Sequence, residues 1–207
     1  DQPRSRGLGD VYKRQIDDNF LSPDDLNKLA DSIVLLPFEL CPSIGAADDG
    51  VLGIKGSNFL DRLIVVSEPN PGEDSHPLMP IAKDLVNLFC KKHGFNLLDF
   101  YRTRVNLTPL SKDPRPLIPH VDLRNKYKHY ILLLFLNDSD GDTIMYDLKV
   151  DGDIHAQEDL SVLKRFSPKA GRAVLFDGDY FHAWEHPQIH DFRLSLIANI
   201  SVEKIDG

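Results

Sequence analysis

Residues 178–196 read GDYFHAWEHPQIHDFRLSL and hold three histidines four apart, His182, His186 and His190. A spacing of four is that of one helical face, but Pro187 removes a backbone donor from the middle and both flanks read as strands. The stretch is therefore expected to be two strands joined by a turn. On the second strand, Arg193 and Ser195 alternate onto one face. Working outward, similar short runs fill the chain beyond Gly94: LLDFYRTRVNL (97–107), HYILLLFL (129–136), DTIMYDL (142–148), GRAVLFDG (171–178) and FRLSLIANISV (192–202). Asp, Gly and Pro turns separate them, as in an antiparallel sheet protein.

The first half of the chain reads differently. Ser22 is expected to cap a helix that starts at Pro23, with acids in its first turn and Leu26, Leu29, Ala30, Ile33 and Val34 along one stripe. A second helix is expected over 78–92, with Ile81, Leu85, Leu88 and Phe89 inward. Residues 41–62 are ambiguous, with room for one or two edge strands. Helices first and many short strands afterwards indicate an α+β protein built on an antiparallel sandwich or barrel.

A chain of 207 residues, 42% hydrophobic and 27% charged, fits one domain with a sizeable core. Residues 10–15 read DVYKRQ, the translation of GATGTGTATAAGAGACAG, a string that resembles a sequencing-library transposon end. Residues 1–15 are thus expected to be adapter-derived and are set aside from fold reasoning, leaving 16–207 as a single domain. The formal charge of −8 then sharpens, because four basic and two acidic residues are removed and 20 stand against 30, about −10. That balance disfavours nucleic acid as a partner. The longest apolar run, YILLLFL (130–136), is far too short to cross a bilayer. Cys41 and Cys90 form no disulfide framework and read as buried, reduced thiols of a cytoplasmic protein.

Chemistry concentrates in two places. In LIPHVDLR (117–124), a strand would turn His120 and Asp122 the same way, giving an imidazole and a carboxylate adjacent positions on one metal. Alone, H-x-D is a weak signal that most often marks a surface pair. A third ligand from among His182, His186 and His190 would complete the two-His-one-carboxylate triad that holds a non-haem iron with an open face. Arg193, if buried beside it, needs an anionic partner. A dicarboxylic co-substrate supplies one, through a guanidinium contact and a hydroxyl hydrogen bond. DSDGDTIMYDLK (138–149) imitates a calcium loop, but Thr143 stands where the glycine belongs and Lys149 where the glutamate does, so it reads as a turn.

Taken together, H-x-D, a distal histidine and R-x-S eleven residues after it resemble the Fe(II)- and 2-oxoglutarate-dependent oxygenases. The resemblance is strongest to the compact branch that includes prolyl hydroxylases and their phage and bacterial relatives. It implies a double-stranded β-helix, the cupin-like jelly roll, with the N-terminal helices packed on one sheet. The family spacing selects His182 as the distal ligand beside His120 and Asp122, and leaves His186 and His190 as solvated turn residues. Arg193 and Ser195 would take the distal carboxylate of 2-oxoglutarate, and Asn106 its near carboxylate. The family often has a tyrosine or lysine on the strand after H-x-D; here that position is Phe135, for which Tyr130 is the candidate substitute. Arg102 and Arg104 divide evenly between substrate contacts and plain salt bridges, and Trp184 between pocket and packing.

The implied cofactors are Fe(II), 2-oxoglutarate and O2, with ascorbate as an optional addition. The implied reaction hydroxylates a C–H bond of a peptide side chain or small molecule, releasing succinate and CO2. A carboxylate at Asp122 favours hydroxylation over halogenation. Basic residues in SKDPRP (111–116) and RNKYKH (124–129) point to a substrate with negative charge. Two alternatives stay open: a non-catalytic jelly-roll binding protein, and a cupin metalloenzyme that does not use 2-oxoglutarate.

Overall fold

The computed structural model describes residues 14–33, 35–41, 64–70, 73–112, 116–117, 119–123, 128–149 and 160–205. Ten strands and two helices follow in the order β1 (Arg14–Asp17), α1 (Pro23–Ile33), β2 (Glu39–Cys41), β3 (Ile64–Ser67), α2 (Leu78–His93), β4 (Phe95–Pro109), β5 (Tyr130–Phe135), β6 (Thr143–Lys149), β7 (Val162–Phe166), β8 (Ala173–Asp177), β9 (Tyr180–Trp184) and β10 (Phe192–Lys204). One sheet has seven strands in the order β1-β8-β5-β10-β4-β3-β2, and the second has three in the order β7-β6-β9. Every pairing is antiparallel. The boundary drawn at residue 15 falls inside β1, where Arg14 and Gln15 pair with Phe176 and Leu175 through their backbones.

The helices form where local chemistry starts and stops them. Ser22 Oγ accepts the Asp25 backbone N–H at 3.2 Å and donates to the Asp25 carboxylate at 2.7 Å, which caps α1. At the start of α2 the buried His76 does this work, its Nδ1 accepting the Leu78 N–H at 3.1 Å. Gly94 ends α2 with φ +66°, a left-handed turn that glycine adopts without a Cβ clash, and β4 follows at once.

Alternation along the central strands divides the core in two. Leu132 and Leu134 of β5, Ala173 and Leu175 of β8, and Leu196, Ala198 and Ile200 of β10 pack against Leu29 and Ile33 of α1 and Leu78, Ala82, Val86 and Phe89 of α2. Their neighbours Ile131, Leu133, Phe135, Val174, Phe176 and Ile197 point the other way and meet Met145 and Phe166 of the small sheet. Both helices thus cover one face of the large sheet, and the small sheet faces the other. Cys90 is free and buried, and burial pushes its thiol up to about 11.

Two expectations are corrected. The inward stripe of α2 is Leu78, Ala82, Val86, Phe89 and Cys90, while Leu88 is 47% exposed; Ile81 and Leu85 are only partly buried. The helix starts with Leu78 already inward, which rotates the buried face away from Leu88. The H-x-D segment is no strand: His120 makes a single bridge to His182, and Asp122 sits in the bend after it. β7, an edge strand exposed at Val162, Lys164 and Arg165, shows too little alternation to be read from sequence. Of the ambiguous segment, Cys41 ends β2, and 42–63 lie outside the described residues.

Because Phe89 is fully buried between the helices and the large sheet, Phe89→Ala is expected to cost about 3–5 kcal/mol of stability. Leu88→Ala on the same helix is expected to change it by less than about 0.5 kcal/mol. Urea unfolding midpoints of the two variants check the orientation of α2.

Candidate metal and co-substrate site

The facing surfaces of the two sheets leave a narrow cleft lined by Arg104, Asp122, Thr143, His182, Trp184 and Arg193 with apolar residues between them. Three elements converge at one end. His182 stands on β9, and the chain carrying His120 runs beside it, the two residues exchanging backbone N–H···O bonds of 2.9 Å in both directions. That bridge sets the imidazole rings 4.6 Å apart, centroid to centroid. Asp122 follows two residues on, with Oδ1 at 3.5 Å from His120 Nε2 and 3.9 Å from His182 Nε2. One ligand atom from each of the three lies within 4.8 Å of the others.

The neighbours of these side chains fix their states. The His182 Nδ1–H donates to the Tyr180 carbonyl at 3.1 Å, which leaves Nε2 as the lone-pair nitrogen facing Asp122. Burial, with His120 beside it, holds the His182 imidazole down to about 4 and therefore neutral, the form that ligates metals. Burial alone would raise the Asp122 carboxyl, but the Arg104 cation and the two histidines overcome it and hold the group well below the usual carboxylate range. Arg104 Nη2 donates to Asp122 Oδ1 at 3.2 Å and Asn199 Nδ2 to Oδ2 at 2.9 Å. Asp122 is thereby ionised and oriented, with Oδ1 toward the histidines.

The other end of the cleft is built from β4 and β10, where Arg193 pairs with Thr108 and Ser195 with Asn106. Arg193 is 2% exposed. Its Nη2 donates to Thr143 Oγ1 at 2.6 Å, and the guanidinium lies 5.3 Å from the Phe135 ring and 6.0 Å from that of Trp184. Burial pulls it down to about 9, so it is still a cation at neutral pH. Arg193 Nε and Nη1, the Ser195 and Thr108 hydroxyls, both amide atoms of Asn106 and Trp184 Nε1 have no hydrogen-bond partner among the described residues. Asp142, the acid that acts on Arg193, is itself held by Arg165 at 3.5 Å. A buried cation ringed by unmet donors is tolerable only if an anion completes it.

Of the residues singled out in the sequence, His120, Asp122, His182, Arg193, Ser195 and Asn106 come together around this cleft. Tyr130 does not: it shares the parity of Leu132 and Leu134 and packs in the cluster under the helices. Phe135 faces the cleft and supplies only its ring, beneath Arg193. Arg102 is engaged in a two-point ion pair with Glu68, and Arg104 with Asp122. His186 was expected in solvent and is buried, its Nδ1–H donating to the Pro109 carbonyl at 2.8 Å. His190 is exposed and held by Asp140, which also accepts three backbone N–H groups of the turn. Sequence reasoning missed Asn199; its place on the Arg193–Ser195 face, two and three alternations along, was the available signal.

No family model and no curated protein matches the sequence. Solved structures do match. An oxidoreductase of the 2OG-Fe(II) oxygenase family from Burkholderia pseudomallei aligns with a TM-score of 0.61 at 16% identity, over 94% of this chain and 87% of that one. The fold is that of the 2OG-Fe(II) oxygenases. SnoK, a non-heme alpha ketoglutarate dependent carbocyclase from nogalamycin biosynthesis, gives 0.60 at 13% identity over 94% and 83% of the two chains. A prolyl hydroxylase from Trichoplax adhaerens, in complex with a hypoxia inducible factor peptide fragment, gives 0.59 at 13% over 92% and 84%. By their chemistry, two imidazoles and an ionised carboxylate suit a divalent metal such as Fe(II), and Arg193, with Nε and Nη1 unmet among the described residues, suits an anionic group.

The His182 shift has a consequence for the metal-free protein. Unfolded, His182 takes a proton near its ordinary value of 6.5, whereas folded it resists to about 4. The unfolded state therefore binds more protons between these values, and stability falls as pH drops through that window. Apo-protein is expected to lose about 3 kcal/mol more than His182→Gln between pH 7 and pH 4. Denaturant unfolding of both proteins across that range checks it; parallel pH profiles would contradict it.

Proposed function

We propose that this chain is an Fe(II)- and 2-oxoglutarate-dependent dioxygenase that hydroxylates a C–H bond of a peptide side chain or small molecule. The observation that carries the proposal is the pairing, in one cleft, of a buried His-Asp-His cluster with a buried arginine that lacks an anion. His120, Asp122 and His182 would hold the iron, and Arg193 with Ser195 the distal carboxylate of 2-oxoglutarate. Asn106, opposite Ser195 and with both amide atoms unmet, would take a further oxygen of the co-substrate. The two opposed sheets are then the double-stranded β-helix of this enzyme class.

When bound, the iron supplies the oxidative chemistry: 2-oxoglutarate, O2 and a substrate C–H become succinate, CO2 and a C–OH. The chain's own part is to bind, orient and exclude water. Arg104 and Asn199 fix the Asp122 carboxylate so that one oxygen faces the histidines. The Tyr180 carbonyl fixes the tautomer of His182. Thr143, Phe135 and Trp184 hold the Arg193 guanidinium before any co-substrate arrives, which lowers the ordering cost of binding. Ile131, Leu133, Phe176 and Ile197 line the rest of the cleft and keep it apolar.

The substrate stays open between two classes, since structures of this fold include a prolyl hydroxylase with a peptide and a carbocyclase. Most of RNKYKH and half of SKDPRP lie outside the described residues. Arg102, Arg104 and Lys149 each meet an acid, Glu68, Asp122 and Asp177, whereas Arg193 in the cleft meets no carboxylate among the described residues. No described helix is long and apolar enough to cross a membrane, and the free, buried Cys90 supports a cytoplasmic setting.

Uncoupled turnover tests the reaction without a known substrate. Purified protein given Fe(II), O2 and 2-oxoglutarate is expected to form succinate, followed by proton NMR. Asp122→Ala is expected to abolish it, and Arg193→Ala to raise the 2-oxoglutarate requirement at least about 100-fold, as for loss of a buried charged contact. Succinate formation equal in wild type and Asp122→Ala would count against the assignment.

A further inference from the structure

Trp184 is the only tryptophan in the chain and is almost wholly buried, yet its indole Nε1–H meets no acceptor among the described residues. Buried indole N–H groups ordinarily find a partner, because an unmet donor forfeits the bond that water would have given it. The surroundings define which partner is missing. Trp184 pairs in register with Thr143, and Thr143 Oγ1 accepts from Arg193 Nη2 at 2.6 Å. With the guanidinium carbon 6.0 Å from the Trp184 ring, indole and guanidinium share one wall of the cleft. Arg193 Nε and Nη1 and the Ser195 and Thr108 hydroxyls are unmet as well. Tryptophan and arginine can only donate, and the hydroxyls can donate as readily as accept. Several donors around one buried cation call for a single anionic acceptor with several lone pairs, and a carboxylate offers about four such sites.

We propose that the Trp184 indole N–H donates to the distal carboxylate of bound 2-oxoglutarate, beside Arg193 and Ser195. The proposal rests on the co-substrate assignment made above and adds a residue to it. Trp184 then does two things: its ring stacks against the guanidinium, and its N–H discriminates among 2-oxo acids. An acid lacking the second carboxylate leaves the indole and the Arg193 Nε and Nη1 donors unmet, which is the condition under which a polar pocket rejects a shortened ligand most strongly. A phenylalanine at this position would keep the stacking and lose the discrimination.

A single tryptophan gives a single indole cross-peak in a nitrogen–proton NMR spectrum, so the wild-type protein can be tested directly with Zn(II) in place of Fe(II). Saturating 2-oxoglutarate is expected to move that peak downfield. 2-Oxobutyrate, which has the same reacting end and no distal carboxylate, is expected to leave it in place. In calorimetry, Trp184→Phe is expected to bind 2-oxoglutarate about tenfold more weakly while its affinity for 2-oxobutyrate stays within about twofold of wild type. An indole peak unmoved at calorimetric saturation overturns the role of Trp184 and leaves the co-substrate assignment standing. So does a Trp184→Phe protein that binds 2-oxoglutarate as wild type does. Failure of the metal-loaded wild type to bind 2-oxoglutarate at all overturns the co-substrate assignment, and this proposal with it.

Discussion

β10 lies in the middle of the large sheet with the helices on one face and the cleft on the other, and its pleat sends successive side chains to opposite faces. Leu196, Ala198 and Ile200 complete the core under α1 and α2, while Arg193, Ser195, Ile197 and Asn199 look toward the small sheet. One strand therefore anchors the hydrophobic core and reaches both ends of the cleft. A one-residue slip would bury Arg193 among leucines and aim Leu194 and Leu196 into the cleft. Pairing with β4 on one side and β5 on the other fixes the register, and the apolar residues of the helix face make any other register costly.

Within that frame, two buried charges of opposite sign are treated differently. Asp122 is provided for by the chain itself, with Arg104 on one oxygen, Asn199 on the other and two histidines alongside. Arg193 receives one hydroxyl and two aromatic rings, but no carboxylate among the described residues. Burying an ion costs roughly several kcal/mol unless a partner offsets it. A fold that satisfies one charge fully and leaves the other short of an anion among the described residues supports the proposed co-substrate at the second. The same asymmetry accounts for the unmet hydroxyls and amide nearby, since a neutral protein partner at those positions would compete with that ligand.

Much of the architecture is legible from alternation and caps. Ser22 begins α1, Gly94 ends α2, and the runs 97–107, 129–136, 142–148 and 192–202 become strands. His182 separates from His186 and His190 because only its distance from Arg193 leaves room for a turn and a return strand. Parity also held the answer for Tyr130: it differs from Phe135 by five positions, so a strand that points Phe135 into the cleft must point Tyr130 at the helices. What spacing could not supply was cross-strand chemistry. Arg102 and Arg104 share a face, yet Glu68 claims one and Asp122 the other, and neither partner adjoins them in sequence. His186 looked like a turn residue and is buried because Pro109, seventy-seven positions away, presents a carbonyl to it.

On the reading proposed above, a metal ion and a dicarboxylic acid occupy the two ends of one cleft at the same time. Anaerobic titration of the apo-protein with Fe(II) and then 2-oxoglutarate tests it most directly, through the weak visible charge-transfer band that appears when the acid chelates the metal. A saturable band is expected in wild type, absent in His182→Ala and shifted to far higher 2-oxoglutarate in Arg193→Ala. Bound iron without a band at any 2-oxoglutarate concentration would contradict it.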